Sequence, residues 1–102
     1  MRFKYDDEKR ELIVRLENEL DHHEAERIKD LLDSYIQLYM PKKLIFDFKG
    51  VDFMDSSGIG IVIGRYKNIQ RFSGKTVMRN VGEQLRKVLE ISGITTLIPV
   101  ID

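Results

Sequence analysis

Two short stretches hold most of the residues whose side chains could do chemistry. Asp55-Ser56-Ser57-Gly58 sets two hydroxyls beside a carboxylate, and Asp21-His22-His23 sets a carboxylate beside two imidazoles. Serine, histidine and aspartate are the types used in nucleophilic acyl transfer, but the spacing opposes it. A nucleophile elbow needs glycine two residues before and after the serine; Ser56 has Met54 and Gly58 there, and Ser57 has Asp55 and Ile59. A chain of 102 residues is also short for a hydrolase of that fold. His22 and His23 are adjacent, so on a helix they point about 100° apart and do not converge on one metal ion, even with Asp21. They read as exposed side chains of a first turn. With no cysteine, thiolate chemistry, disulfides and cysteine-ligated zinc are all ruled out.

Phosphate-cradling loops fare no better. Gly74-Lys75-Thr76 resembles the end of a P-loop, but Ile69 occupies the position of the first glycine and the stretch lies between a helix and a strand, the reverse order. Gly58-x-Gly60-x-x-x-Gly64 misses the dinucleotide fingerprint by one residue. Asp55-Ser56-Ser57-Gly58 reads first as an N-cap cluster, because Asp and Ser satisfy the free amides of a first helical turn. A hydroxyl there also sits beside a positive dipole end that receives phosphate well. Phosphorylation would add about −1.5 to −2 charges and oppose a partner docked over that helix end.

The elements that must position these residues follow from periodicity. Leu12, Val14 and Leu16 alternate with polar residues as a half-buried strand, and Phe3 and Tyr5 mark a strand before it. Asp21 is the expected N-cap of a first helix, with Glu24 as its capping-box partner. Ala25, Ile28, Leu31, Leu32, Tyr35 and Leu38 or Tyr39 form its inward stripe, and Pro41 stops it. Leu44 to Phe48 is a strand covered on both faces, from which Gly50 turns the chain away. A second helix starts near Ser56 or Ser57 and ends before Gly74; Gly60 and Gly64 share one of its faces, implying close backbone approach to the sheet. Lys75 to Arg79 is a strand, and Glu83 to Ser92 a helix with Leu85, Val88 and Leu89 inward and Gly93 beyond its end. Ile94 to Ile101 is a last strand. The order β-β-α-β-α-β-α-β predicts an α/β fold: one mixed, mostly parallel sheet of four to five strands with three or more helices.

Composition narrows the function classes. Seventeen basic residues balance seventeen acidic ones, which argues against nonspecific nucleic-acid binding. The longest near-continuous apolar stretch, Ile59 to Gly64, is six residues against roughly 20 for a membrane span. The charged N-terminus lacks a signal-peptide core, so a cytoplasmic protein is expected.

Phe53-Met54-Asp55-Ser56-Ser57-Gly58-Ile59-Gly60 with Gly64-Arg65-Tyr66-Lys67 resembles the phosphorylation-site segment of anti-sigma factor antagonists with a STAS domain. Glu19-Leu20-Asp21-His22-His23 and Glu90-Ile91-Ser92-Gly93-Ile94 fit the same family, and the similarity runs from about Leu12 to Leu97. The resemblance implies one STAS domain over 1–102; relatives commonly continue into a further helix after the last strand, where this chain ends at Asp102. It implies a regulator, not an enzyme, which in its unphosphorylated form binds an anti-sigma factor serine kinase and releases a sporulation sigma factor. Ser56 matches the phosphorylated serine, and a separate serine phosphatase resets it. Asp21, Asp55, Ser57, Gly58 and Ile59 fall on the partner-binding surface, with Met54 and Ile59 expected as an exposed docking patch. No cofactor or metal is implied, since the kinase brings the nucleotide. A stress-response sigma circuit and a small-molecule or nucleotide-binding STAS module are the alternatives.

Overall fold

The computed structural model describes residues 1–101; Asp102, the last residue of the expected domain, lies outside them. Strand β1 (Arg2–Asp6) makes a hairpin with β2 (Glu11–Leu20), followed by α1 (His22–Tyr39), β3 (Lys43–Met54), α2 (Ser56–Gln70), β4 (Lys75–Arg79) and α3 (Glu83–Ser92). A 3₁₀ turn (Ile94–Thr96) leads into the short β5 (Val100–Ile101). The sheet order is β1-β2-β3-β4-β5, antiparallel between β1 and β2 and parallel elsewhere. The expected mixed sheet with three helices is therefore what forms.

Parallel crossovers are right-handed, and each one here steps in the same direction across the sheet, so all three helices belong to one face. The core agrees. Leu12, Val14, Leu16, Leu44, Phe46 and Met78 from the strands join Ile28, Leu32, Ile61, Val62, Ile69 and Leu89 from the helices in one buried cluster. By alternation the opposite face carries Ile13, Arg15, Ile45, Asp47, Val77 and Arg79.

Several expectations need correcting. Gly50 does not turn the chain away: β3 runs through it to Met54, and Gly50 sits opposite Glu17 at a bulge. A Cβ at Gly50 would lie 3.3 Å from the Leu16 carbonyl oxygen, so the residue serves close strand passage instead. In α1 the buried stripe is Ala25, Ile28, Leu32 and Ile36, while Leu31 and Leu38 are exposed. Tyr35 and Tyr39, expected in the stripe, do pack inward at its edge against β1, where Phe3 packs on Tyr35 and Tyr5 stacks on Tyr39 with centroids 3.7 and 4.3 Å apart. Val88 faces outward, leaving Leu85 and Leu89 to hold α3. Only Val100 and Ile101 of the expected last strand pair with β4; Ile94 and Ile98 instead plug the core from irregular backbone after Gly93, whose φ is +84°.

The open face contains one fully buried carboxylate. Asp47 accepts hydrogen bonds from the Lys49 backbone N–H (3.0 Å), the Asn80 amide (3.1 Å) and Arg79 Nε (3.2 Å), and Arg15 Nη2 lies 3.7 Å away. Burial pushes its pKa up, but these donors outweigh burial and hold it below the ordinary carboxylate value. A lowered acid stabilises the fold above its unfolded pKa and loses that contribution as pH falls through the folded one. Asp47→Ala is expected to destabilise the protein by about 1–3 kcal/mol at neutral pH, leaving donors unpaired. In urea titrations the gap between the variant and the parent should be constant above about pH 5 and close below about pH 4. A gap that stayed open at low pH would show that packing, not charge, is what Asp47 contributes.

Candidate functional site

Strands β2 and β3 end level with one another: Leu20 pairs with Met54. Each is followed by an aspartate that caps a helix. Asp21 Oδ1 accepts from the Glu24 backbone N–H at 2.9 Å, and Asp55 Oδ1 accepts from those of Ser57 and Gly58 at 2.8 and 3.3 Å. Only half of the expected capping box forms at α1, because the Glu24 carboxylate bonds Arg27, which lowers its pKa. Two helix N-termini thus start side by side at one edge of the sheet, and two positive dipole ends converge there.

Three contacts fix the pair. The Asp55 N–H donates to the Leu20 carbonyl at 3.4 Å, bridging the two loops. His22 Nδ1 lies 3.4 Å from Ser57 Oγ, joining the two first turns. Farther along, the buried Arg65 ion-pairs with Asp33, Nε 2.9 Å from Oδ1, and Asp33 accepts a hydrogen bond from Asn68 at 3.0 Å, clamping α2 to α1. Glycine matters at Gly58, not where expected. A Cβ on Gly58 would stand 2.5 Å from the Leu20 carbonyl oxygen, whereas Cβ atoms on Gly60 and Gly64 would meet nothing within 4 Å. Close approach therefore occurs at the first turn of α2.

Ser56 is exposed at the first position of α2, while Ser57 is half-buried and engaged through both its amide and its hydroxyl. Asp21, Asp55 and Ile59 are half-buried around it and Gly58 is buried. Met54 is only 3% exposed, so the expected Met54–Ile59 patch does not form; Phe53, 51% exposed, is the apolar side chain the surface presents there. Strand alternation explains the swap, since Met54 points into the core and Phe53 away from it. His22 reaches Ser57 and not Ser56, and among the described residues no carboxylate hydrogen-bonds its ring, so no catalytic triad is assembled. No group of three metal-ligating side chains occurs among the described residues. Among the described residues no helix is long and apolar enough to cross a membrane.

Residues 3–102 match the family described as the STAS domain. The chain belongs to the STAS domain family. This STAS domain is 36% identical over 91 residues to the anti-sigma F factor antagonist of Paenibacillus polymyxa, covering 89% of this chain and 78% of that protein. It is 28% identical over 82 residues to an anti-sigma-B factor antagonist of Listeria monocytogenes, covering 80% and 71%. The solved anti-sigma factor antagonist SpoIIAA in its unphosphorylated form superposes with a TM-score of 0.76 at 29% identity, covering 99% of this chain and 86% of that one. Bacillus SpoIIAA in the phosphorylated form gives 0.72 at 30% identity, covering 99% and 92%. The resemblance to anti-sigma factor antagonists read from the sequence therefore holds.

Opposite signs are expected for two alanine substitutions in one helix of this STAS domain. Gly58→Ala should destabilise it by about 1–3 kcal/mol through overpacking against Leu20 and Met54. Gly60→Ala should stabilise it by up to about 1 kcal/mol, since the added methyl meets no neighbour. Thermal unfolding of both variants checks the pair, and a stabilising Gly58→Ala would refute the close approach.

Proposed function

We propose that this STAS domain is an anti-sigma factor antagonist that works by partner switching in the cytoplasm. Unphosphorylated, it binds an anti-sigma factor that is also a serine kinase and frees the sigma factor that kinase held. The kinase transfers the γ-phosphoryl group of ATP to Ser56 Oγ; the hydroxyl proton is lost, ADP leaves and the antagonist dissociates. A serine phosphatase hydrolyses the ester and resets the protein. The chemistry belongs to those partners, so this chain acts without catalysis, cofactor or metal of its own, and without nucleic acid or membrane.

One observation carries the choice of site: of the adjacent serines, Ser56 is exposed and Ser57 is held by Asp55 and His22. Asp21, Asp55, Ser57 and Ile59 surround it as the docking surface, with Phe53 in the apolar role. Gly58, being buried, lets the helix end sit low against Leu20. The same geometry supports direct repulsion as the mode of release. The amides of Ser57 and Gly58 are already spent on Asp55, and two capping carboxylates stand nearby. A phosphate adding about −1.5 to −2 charges would put uncompensated negative charge on the surface facing the partner. The sporulation factor F circuit is favoured over a stress-response circuit by 36% against 28% identity.

Incubation with ATP and the candidate kinase should add one phosphate, mapped to Ser56 by mass spectrometry. Ser56→Ala should fold, bind the kinase and gain none, while Ser56→Asp should bind at least about tenfold more weakly. Phosphate on Ser56→Ala at the parental rate would reject the site. Stable binding to a sigma-B kinase alone would move the protein to the stress-response circuit. No modification by kinases active on other substrates, with calorimetric binding of nucleotide to the isolated protein, would favour the ligand-binding module.

A further inference from the structure

We propose that the helix-free face of the sheet carries a second site, which takes a small organic polyanion over Ile13. Strand register sets the side chains of this face in crosswise rows. One row runs Arg2, Arg15, Asp47, Arg79 across four strands, and the next runs Lys4, Ile13, Ile45, Val77. A cleft of about 320 Å³ opens over them, lined by Arg2, Phe3, Lys4, Ile13, Arg15 and Arg79. All four charged side chains of that lining are cations, in a chain whose formal net charge is zero.

The cations are built in. Fully buried Asp47 holds two of them, with Arg79 Nε at 3.2 Å and Arg15 Nη2 at 3.7 Å, so their guanidinium groups are anchored from the sheet. Arg2 pairs with Glu17 at 3.0 Å, and Lys4 has no ion-pair partner among the described residues. Two carboxylates, Asp47 and Glu17, ion-pair with three of these four cations; Glu17 also lies 4.0 Å from the Met1 amine, and Asp6 and Glu11 form the next row of the same face. A guanidinium contacted along one edge keeps further N–H donors in the fork that suits carboxylate or phosphate oxygens. Ile13, in one row with Ile45 and Val77, adds an apolar floor for a carbon skeleton. The volume falls at the small end of ligand sites, roughly 300–1,000 Å³, and fits a compact molecule with two or more anionic groups. Because the cleft lies on the face away from the helices, it is independent of the Ser56 reading and is tested separately.

Calorimetry and methyl NMR on the full chain at low salt would use inorganic pyrophosphate, citrate and orthophosphate as probes. Saturable binding of pyrophosphate or citrate with a Kd of about 1 mM or tighter is expected, with shifts at Ile13 and orthophosphate weaker by about tenfold. Tighter pyrophosphate would assign phosphate ligands to the site, and tighter citrate would assign carboxylates. Lys4→Gln and Arg15→Gln, both at exposed side chains, should each weaken binding about five- to tenfold, whereas Ser56→Asp should leave it unchanged. Thermal unfolding verifies that both cleft variants are folded. Absence of binding by both polyanions at 10-fold that concentration, binding indifferent to the cleft variants, or binding lost in Ser56→Asp would each overturn the proposal.

Discussion

The parallel pairing of β2 with β3, carried past its bulge as far as Leu20 and Met54, is the constraint on which the helix-start surface depends. A parallel ladder makes both strands exit at the same edge, and each then needs a crossover helix to return. The two helix starts must lie together. Their amides would be exposed and unpaired without Asp21 and Asp55, and the tight seating of the second start requires a residue without a side chain at Gly58. An exposed hydroxyl beside two capped N-termini is a consequence of strand register, not a separate invention.

Crossovers of a single hand and a single direction have a second consequence. They crowd all three helices onto one face and leave the other to be managed by side chains alone. That face is held by Asp47 and the arginines around it. A buried carboxylate without such partners would cost more than the fold could bear. The two faces thus differ in kind: one is an apolar core whose rim carries the helix starts, and the other is a charged surface ordered by one buried acid. Binding events at the two need share no residue.

Much of this was legible from local signals. Alternation marks β2, the Asp21 and Asp55 caps mark where α1 and α2 begin, and Gly93 marks where α3 ends. The failures share a cause. Gly50 and Gly60 look alike in sequence, yet one lies where strands pass closely and the other faces open space. Met54 and Phe53 are both apolar neighbours of the candidate serines, and only the phase of β3 decides which is buried. The stripe of α1 centres on Ile36 and not on Leu31 and Leu38, and the edge it shares with Tyr35 and Tyr39 meets β1, about thirty residues away in the chain.

By itself the sequence determined the kinds and order of the elements, the caps, and the Asp-Ser-Ser-Gly segment with its family likeness, because each rests on residues within a turn or two of one another. Only the tertiary structure decided that Ser56 is the free hydroxyl and Ser57 the engaged one, that Asp21 and Asp55 stand together, and that Lys4, Arg15 and Arg79 line one cleft. Those facts depend on strand register, and register is set by summed burial across the whole sheet, where a slip of one residue would exchange the faces of every side chain.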